Sequence, residues 1–308
     1  MDSTNHTDVD HFVFSGLTSD YKLSLLLFIL FLVVYLVTVV GNVGLVVIVH
    51  VATNLHTPMY FFLSHLSAVD FFYSSSITPK MLTDLLTMNK TISFHGCALQ
   101  IFFFAGLAGT EVLLLSSMSY DRYAAVCHPL HYVSIMTTKK CSSMVGLSFI
   151  LGFSEAVVQT SCLFNLRYCG SNVIDHFYCD FPPLLQLSCS NSLHCSLLTI
   201  FIIGTFSLFS LSVILVTYML ILSAIFHIKS HEGRRKAFST CSSHLMCSTI
   251  FYVAVFFTYM RSPSSIMEKQ DTVASIFYSV VTPMLNPLIY SLRNKEVKKA
   301  ILWLLKIL

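Results

Sequence analysis

Charge is what this chain has least of. Asp, Glu, Lys and Arg make up 11% of its 308 residues, against about 25% in soluble domains. With 55% hydrophobic residues and a mean hydropathy of +0.74, it cannot cover a water-soluble surface. A basic stripe is missing too, so the net charge of +3 is not a nucleic-acid signal. No repeat with a period of about 20–50 residues is visible, which argues against an inverted-repeat transporter. No nucleotide loop or hydrolytic triad stands out, so no catalytic residue is assigned and the chain is not expected to be an enzyme. Ser64-His65 and Ser243-His244 are better read as helix-packing hydrogen-bond groups. Met1 to Asp20 is polar and acidic, without the basic start and short apolar core of a signal peptide. The first long apolar run is therefore expected to act as an uncleaved insertion signal.

Apolar runs are abundant. About 20 such residues cross a bilayer as a helix. Seven segments qualify: Leu23 to Val49, Pro58 to Ile77, Gly96 to Met118 (continuing to Val126), Met144 to Cys162, Leu197 to Phe226, Phe238 to Tyr259 and Val273 to Leu292. The second is weakened by Ser64, His65, Ser67 and Asp70. Helix is the only open-chain way to satisfy backbone groups in lipid. The expected fold is an all-α membrane protein, a seven-transmembrane helix bundle. Residues 1–22 form the tail before it, 23–292 the bundle, and 293–308 a cytoplasmic amphipathic eighth helix. In that tail Val297, Ile301, Leu304, Leu305 and Leu308 share a face, while Lys295, Lys298, Lys299 and Lys306 reach lipid headgroups.

Lysine and arginine set the orientation. Arg122, Lys139, Lys140, Lys229, Arg234, Arg235, Lys236, Arg293, Lys295, Lys298, Lys299 and Lys306 fall on one side, twelve of the 18 basic residues. That side should be cytoplasmic, which makes the N-terminus extracellular or luminal. Asn5-His6-Thr7 then becomes a usable glycosylation sequon at Asn5. Asn89-Lys90-Thr91 sits too close to the membrane for good access.

The third run ends in Met118-Ser119-Tyr120-Asp121-Arg122-Tyr123-Ala124-Ala125-Val126-Cys127-His128-Pro129. A charge pair there is costly unless it has work at the membrane boundary. Other motifs stand in order around it: Gly41-Asn42, Leu55-His56-Thr57-Pro58-Met59-Tyr60, Asp70, Lys236-Ala237-Phe238-Ser239-Thr240-Cys241, and Pro283-Met284-Leu285-Asn286-Pro287-Leu288-Ile289-Tyr290. Together they resemble olfactory receptors, a branch of the rhodopsin-like G-protein-coupled receptors. The resemblance covers nearly the whole chain. Helix six has Phe251-Tyr252 in place of the tryptophan switch of other rhodopsin-like receptors, as is typical of that branch. Thr217-Tyr218 stands where many olfactory receptors read Ser-Tyr, a mild departure.

The resemblance implies disulfides Cys97–Cys179 and Cys169–Cys189, which would hold the second outer loop as a lid. It implies a latch in which Asp121 neutralises Arg122 at rest. On activation Arg122 would turn toward Tyr218 and an arriving G protein, with Tyr123, Asn286, Pro287 and Tyr290 in the same switch. Pro287 removes a backbone donor and loosens helix seven, giving the bistable element a switch needs. Asp70 and Glu111, with Asn42 and Asn286, are implied to form an interior sodium or water-filled site. The alternative is a neutral hydrogen-bond network that only holds helices together. His176, Cys179 and Asp180 could in principle ligate a metal, but Cys179 in a disulfide has no thiolate to offer, and no metal is assigned. Glu155 has no evident partner and is left without a role.

For the ligand, the run from Cys97 to Thr110 carries no carboxylate and Glu111 lies too deep, so a cationic ligand is disfavoured. The pocket positions implied by the family are Phe104, Ala105, Ala108, Gly109, Ile202, Ile203, Phe206, Tyr252, Phe256 and Tyr259. Of these, Tyr259 is the preferred hydrogen-bond donor. The expected ligand is a small, neutral, largely apolar volatile odorant. The expected partner is a stimulatory, olfactory-type G protein that raises cyclic AMP at the plasma membrane. The same scaffold could sense a metabolite outside the nose. A channel or transporter would need a polar pathway that the sequence does not show.

Overall fold

The computed structural model describes residues 9–169, 171–227, 230–259, 268–293 and 295–307; side chains at 236–237, 239–240, 257–259, 268–271, 292–293, 295 and 303–307 are outside that description. The long helices are α1 (Tyr21–Val51), α2 (Pro58–Leu86), α3 (Phe94–Cys127), α4 (Thr138–Phe164), α5 (Leu193–His227) and α6 (His231–Tyr259). The seventh, α7, spans 268–293 as Glu268–Ile276, a π turn Phe277–Val281 and Thr282–Arg293. A terminal helix α8 (Lys295–Ile307) follows.

Helix starts follow local chemistry. Asp20 caps α1 by accepting from the Lys22 and Leu23 amides. Ser93 caps α3 through the Gly96 amide, and Thr137 caps α4 through the Lys140 amide. Pro58 opens α2 where no amide donor is needed. At the π turn of α7, Ser279 Oγ donates to the Ser275 carbonyl and Thr282 Oγ1 to the Phe277 carbonyl.

Five described segments are long and apolar enough to cross a membrane: Tyr21–Val51, Phe94–Cys127, Thr138–Phe164, Leu193–His227 and Thr272–Ser291. The expected second and sixth spans are less apolar. α2 turns Ser64, Ser67 and Asp70 inward, and the apolar part of α6 is the shorter Cys241–Phe256. Burial separates the centre from the rim. In its most apolar stretch α3 is 67% buried within the protein and α1 only 17%, so α3 is the axis and α1 offers Leu26, Val33 and Val40 outward.

α3 and α4 cross closely. A Cβ on Gly152 would lie 2.6 Å from the Thr110 amide nitrogen and 2.7 Å from the Gly106 carbonyl oxygen, so only glycine lets the backbones meet.

One end of the bundle carries a small sheet not foreseen from the sequence. β1 (His11–Phe14) pairs antiparallel with β2 (Thr91–Ser93) and parallel with β3 (Val173–Ile174), in the order β2-β1-β3. Phe12 is fully buried there between Phe94 and Tyr168. Cys97–Cys179 and Cys169–Cys189 are joined, with Cα–Cα separations of 5.6 and 5.9 Å. A third bridge, Cys162–Cys195, joins α4 to α5 at 5.7 Å. The position of Cys162 inside the fourth apolar run hides it from a reading of the outer loops alone. Gln100 adds a second tie, accepting from the Cys179 amide and donating to the Ser76 carbonyl, both at 2.9 Å.

In α8, Val297 and Ala300 are buried while Lys298 and Lys299 are exposed. The side chains of Lys295, Leu304, Leu305 and Lys306, with Leu308, lie outside the described residues, as does Asn5.

Candidate functional site

A cavity of about 60 Å³ lies beneath the disulfide-tied loop. α3 lines it with Ile101, Phe104, Ala105, Ala108, Gly109 and Val112, and α5 with Ile203, Phe206 and Ser207. Phe251 and Val255 of α6, Tyr278 of α7, Glu155 and Gln159 of α4, and Asp180 and Phe181 of the loop complete it. Phe104 is the hub of its aromatic wall, 5.0 Å from Tyr73, 5.2 Å from Tyr178 and 5.5 Å from Tyr278 between ring centres.

Six of the expected lining residues are there: Phe104, Ala105, Ala108, Gly109, Ile203 and Phe206. Ile202 is half-buried beside them and is not part of the wall. On α6 the expected face is turned by one residue. Phe251 and Val255 face the cavity where Tyr252 and Phe256 were expected, and Phe256 is 60% exposed on the outside of the bundle. One residue rotates a helix face by about 100°, and an apolar face toward lipid looks like an apolar face toward a pocket. The Tyr259 side chain lies outside the described residues. Among the lining residues not expected from the sequence are Glu155 and Gln159. Their i, i+4 spacing on α4 was the available signal.

Below the cavity is a buried polar centre. Asn286 Nδ2 donates to Asp70 Oδ2 at 3.0 Å and is 3.4 Å from Glu111 Oε1. Asn42 does not reach these carboxylates. Its amide donates to the carbonyls of Thr38 and Pro283, each at 3.0 Å, pinning α1 to the proline-bearing part of α7. Asp70 Oδ1 and Asn42 Oδ1 are buried with no partner among the described groups.

At the opposite end the expected latch is arranged differently. Asp121 Oδ1 accepts from the Tyr132 hydroxyl at 2.7 Å. Among the described residues the ion pairs are Lys80–Asp84 and Lys299–Glu296, so Asp121 and Arg122 do not form one. Asp121 is held instead by Tyr132, on the one-turn helix Tyr132–Ile135. Arg122 is buried, and its Nε has no partner. Tyr218, the expected acceptor of Arg122, is engaged by His244: its hydroxyl lies 2.8 Å from Nδ1, and His244 Nε2 lies 3.0 Å from the Leu115 carbonyl. A carbonyl only accepts, so Nε2 carries the proton; the Tyr218 hydroxyl shares its one proton between Nδ1 and the Cys241 carbonyl, 3.1 Å away. His244 thereby joins α3, α5 and α6. Tyr290 is buried, and Tyr123 pairs with His128 Nε2 at 3.1 Å.

Cavity, interior carboxylates and the Arg122 end follow one another down the bundle around α3. The family model for olfactory receptors matches residues 31–307. The chain belongs to the olfactory receptor family. Olfactory receptor 5AP2 of Mus musculus is 51% identical over 98% of this chain and 95% of its own length. Olfactory receptor 5B12 of Homo sapiens is 51% identical over 96% of this chain and 94% of its own. In fold the receptor is similar to squid rhodopsin, with a TM-score of 0.74, 15% identity, and coverage of 93% of this chain and 82% of that one. The receptor is thus a multi-pass, rhodopsin-like membrane protein that senses odorants, and not an enzyme.

His176 does not join a metal group. Cys179 is in its disulfide, Asp180 accepts from the Phe181 amide and the Tyr178 hydroxyl, and no metal-binding cluster occurs among the described residues. The ring of His176 stacks on Phe177 at 4.7 Å. Burial holds its pKa down, to about 4.

Proposed function

We propose that the receptor binds small, neutral, largely apolar volatile molecules in this cavity, and answers by activating a stimulatory, olfactory-type G protein that raises cyclic AMP. The observation that carries the reading is the cavity itself. Its walls come from α3, α4, α5, α6, α7 and the loop above, and α3, α5 and α6 are the helices that His244 joins at the far end. At about 60 Å³ it is well under the roughly 150 Å³ that holds benzene in an apolar protein cavity. An odorant of about ten heavy atoms must therefore move its walls. Such a ligand binds at about micromolar strength by desolvation and dispersion.

The bias of lysine and arginine supports an N-terminus outside and the basic-rich side in the cytosol, and the proposed membrane is the plasma membrane. Asp70 and Glu111 offer carboxylate oxygens suited to a sodium ion, and Asp70 Oδ1 lacks a partner; Asn286 turns Nδ2 toward both carboxylates and would have to flip its amide to ligate with them.

A cyclic-AMP reporter screened against a broad panel of volatile compounds tests the central reading. At least one compound should raise the signal in the wild type and fail in Arg122→Ala at matched surface level. A response that survives Arg122→Ala overturns coupling through the Arg122 end.

A further inference from the structure

The cavity is apolar apart from a few groups, and one of those is unfinished. Glu155 sits on α4, where the sequence gives it no evident partner, and is 8% exposed. Its Oε1 accepts from Gln159 Nε2 at 2.7 Å. Its Oε2 is buried with no hydrogen-bond partner, and the residue lines the cavity. Gly109 makes that placement feasible: a Cβ there would stand 2.8 Å from Oε2. The other acid in the wall, Asp180, already accepts from the Phe181 amide and the Tyr178 hydroxyl. No lysine, arginine or histidine is among the lining residues. A buried carboxylate oxygen without a donor is costly, and the protein supplies none.

We infer that Glu155 is the polar anchor of the ligand and that Oε2 receives an O–H or N–H group from it, so that the receptor selects alcohols, phenols or amines over ethers of the same shape. The inference rests on the cavity being the odorant site and narrows the ligand class. It also reopens amines, which the sequence disfavoured because α3 lacks an acid near Cys97. The acid comes instead from the neighbouring helix. Gln159 holds Oε1, leaving Oε2 to the cavity. In Glu155→Gln the same Gln159 donor selects the amide oxygen for the Oε1 position and leaves the NH₂ group at the Oε2 position. The anchor then changes from acceptor to donor with no change of shape.

The test uses the full-length receptor in a cyclic-AMP reporter with surface level measured. The probes are two matched sets: hexan-1-ol, hexylamine and 1-methoxypentane; and 2-phenylethanol, 2-phenylethylamine and benzyl methyl ether. In at least one set, the alcohol or amine should act at a concentration about tenfold lower than the ether, the scale of one charge-assisted hydrogen bond. The alcohol and amine arms report which donor is taken. Glu155→Gln should abolish or reverse that preference at unchanged surface level. Ala108→Leu, which fills the cavity, should silence every probe. Equal potency of donor and ether in the wild type, a preference that persists in Glu155→Gln, or silence toward every donor-bearing probe overturns the inference. Should Ala108→Leu silence the receptor while Glu155→Gln changes nothing, the cavity stands as the site and the anchor falls. Should Ala108→Leu leave all responses intact, the site itself falls, and the anchor with it.

Discussion

The Tyr218 hydroxyl lies 2.8 Å from Nδ1 of His244 and 3.1 Å from the Cys241 carbonyl, and the Tyr218 and His244 rings lie parallel within 8°. Because His244 also donates to the Leu115 carbonyl at 3.0 Å, one side chain ties α6 to both α5 and α3. Removing the hydroxyl strands a fully buried acceptor, which costs roughly 1–3 kcal/mol. Tyr218→Phe and His244→Phe should each lower the unfolding temperature of purified receptor. The double variant should recover about 1 kcal/mol relative to the sum. Strict additivity would show that the two do not interact.

Asp121 is held by Tyr132 at 2.7 Å. Tyr132→Phe frees the carboxylate to swing toward buried Arg122, the pairing expected at rest. The variant should need severalfold more odorant for a half-maximal cyclic-AMP response, with surface level unchanged. An unaltered dose–response curve would sink the claim that this hydroxyl keeps Asp121 from Arg122.

Gly152 meets backbone atoms of α3, which cannot step aside. Gly152→Ala should therefore force α3 and α4 apart at a cost of about 1–3 kcal/mol, and surface expression should fall sharply. Gly146 lies on the same helix, and a Cβ added to it would have nothing within 4 Å. Gly146→Ala should therefore express normally, and comparable loss in both would refute the steric account.

His176 links loop stability to pH. Its pKa in the fold is about 4, lowered by burial from the ordinary 6.5. Between those values the unfolded chain binds a proton that the folded loop refuses. Stability is therefore fully present above about pH 6.5 and is lost as pH falls toward 4, by at most roughly 3 kcal/mol. Thermal unfolding at pH 7 and pH 5 should show a larger drop for the wild type than for His176→Phe, which keeps the stacking and cannot titrate. Equal drops would remove His176 from the acid response.

Much of the fold was legible because its signals are local. Apolar runs give the helices, and the Asp121-Arg122-Tyr123, Asn286-Pro287 and Lys236–Cys241 motifs give the family. The site was legible in part. The α3 positions implied by the family resemblance, Phe104, Ala105, Ala108 and Gly109, line the cavity; helical periodicity alone would have allowed ordinary core packing there. On α6, Tyr252 and Phe256 were expected where Phe251 and Val255 stand, because all four are apolar enough to face either lipid or cavity. Glu155 was visible as an oddity, but no local pattern says which helix it faces.

The amino-acid order alone determined that the chain is built of long apolar helices and which receptor family it spells, because apolar length and motifs act within short stretches of chain. Only the tertiary structure decided which face of each helix turns inward, that Cys162 meets Cys195, that Tyr132 rather than Arg122 holds Asp121, and that a carboxylate of α4 reaches the cavity past Gly109. Those are contacts between distant segments. In a membrane, where lipid and protein interior are equally apolar, hydrophobicity does not specify them; close packing and the pairing of a few buried polar atoms do.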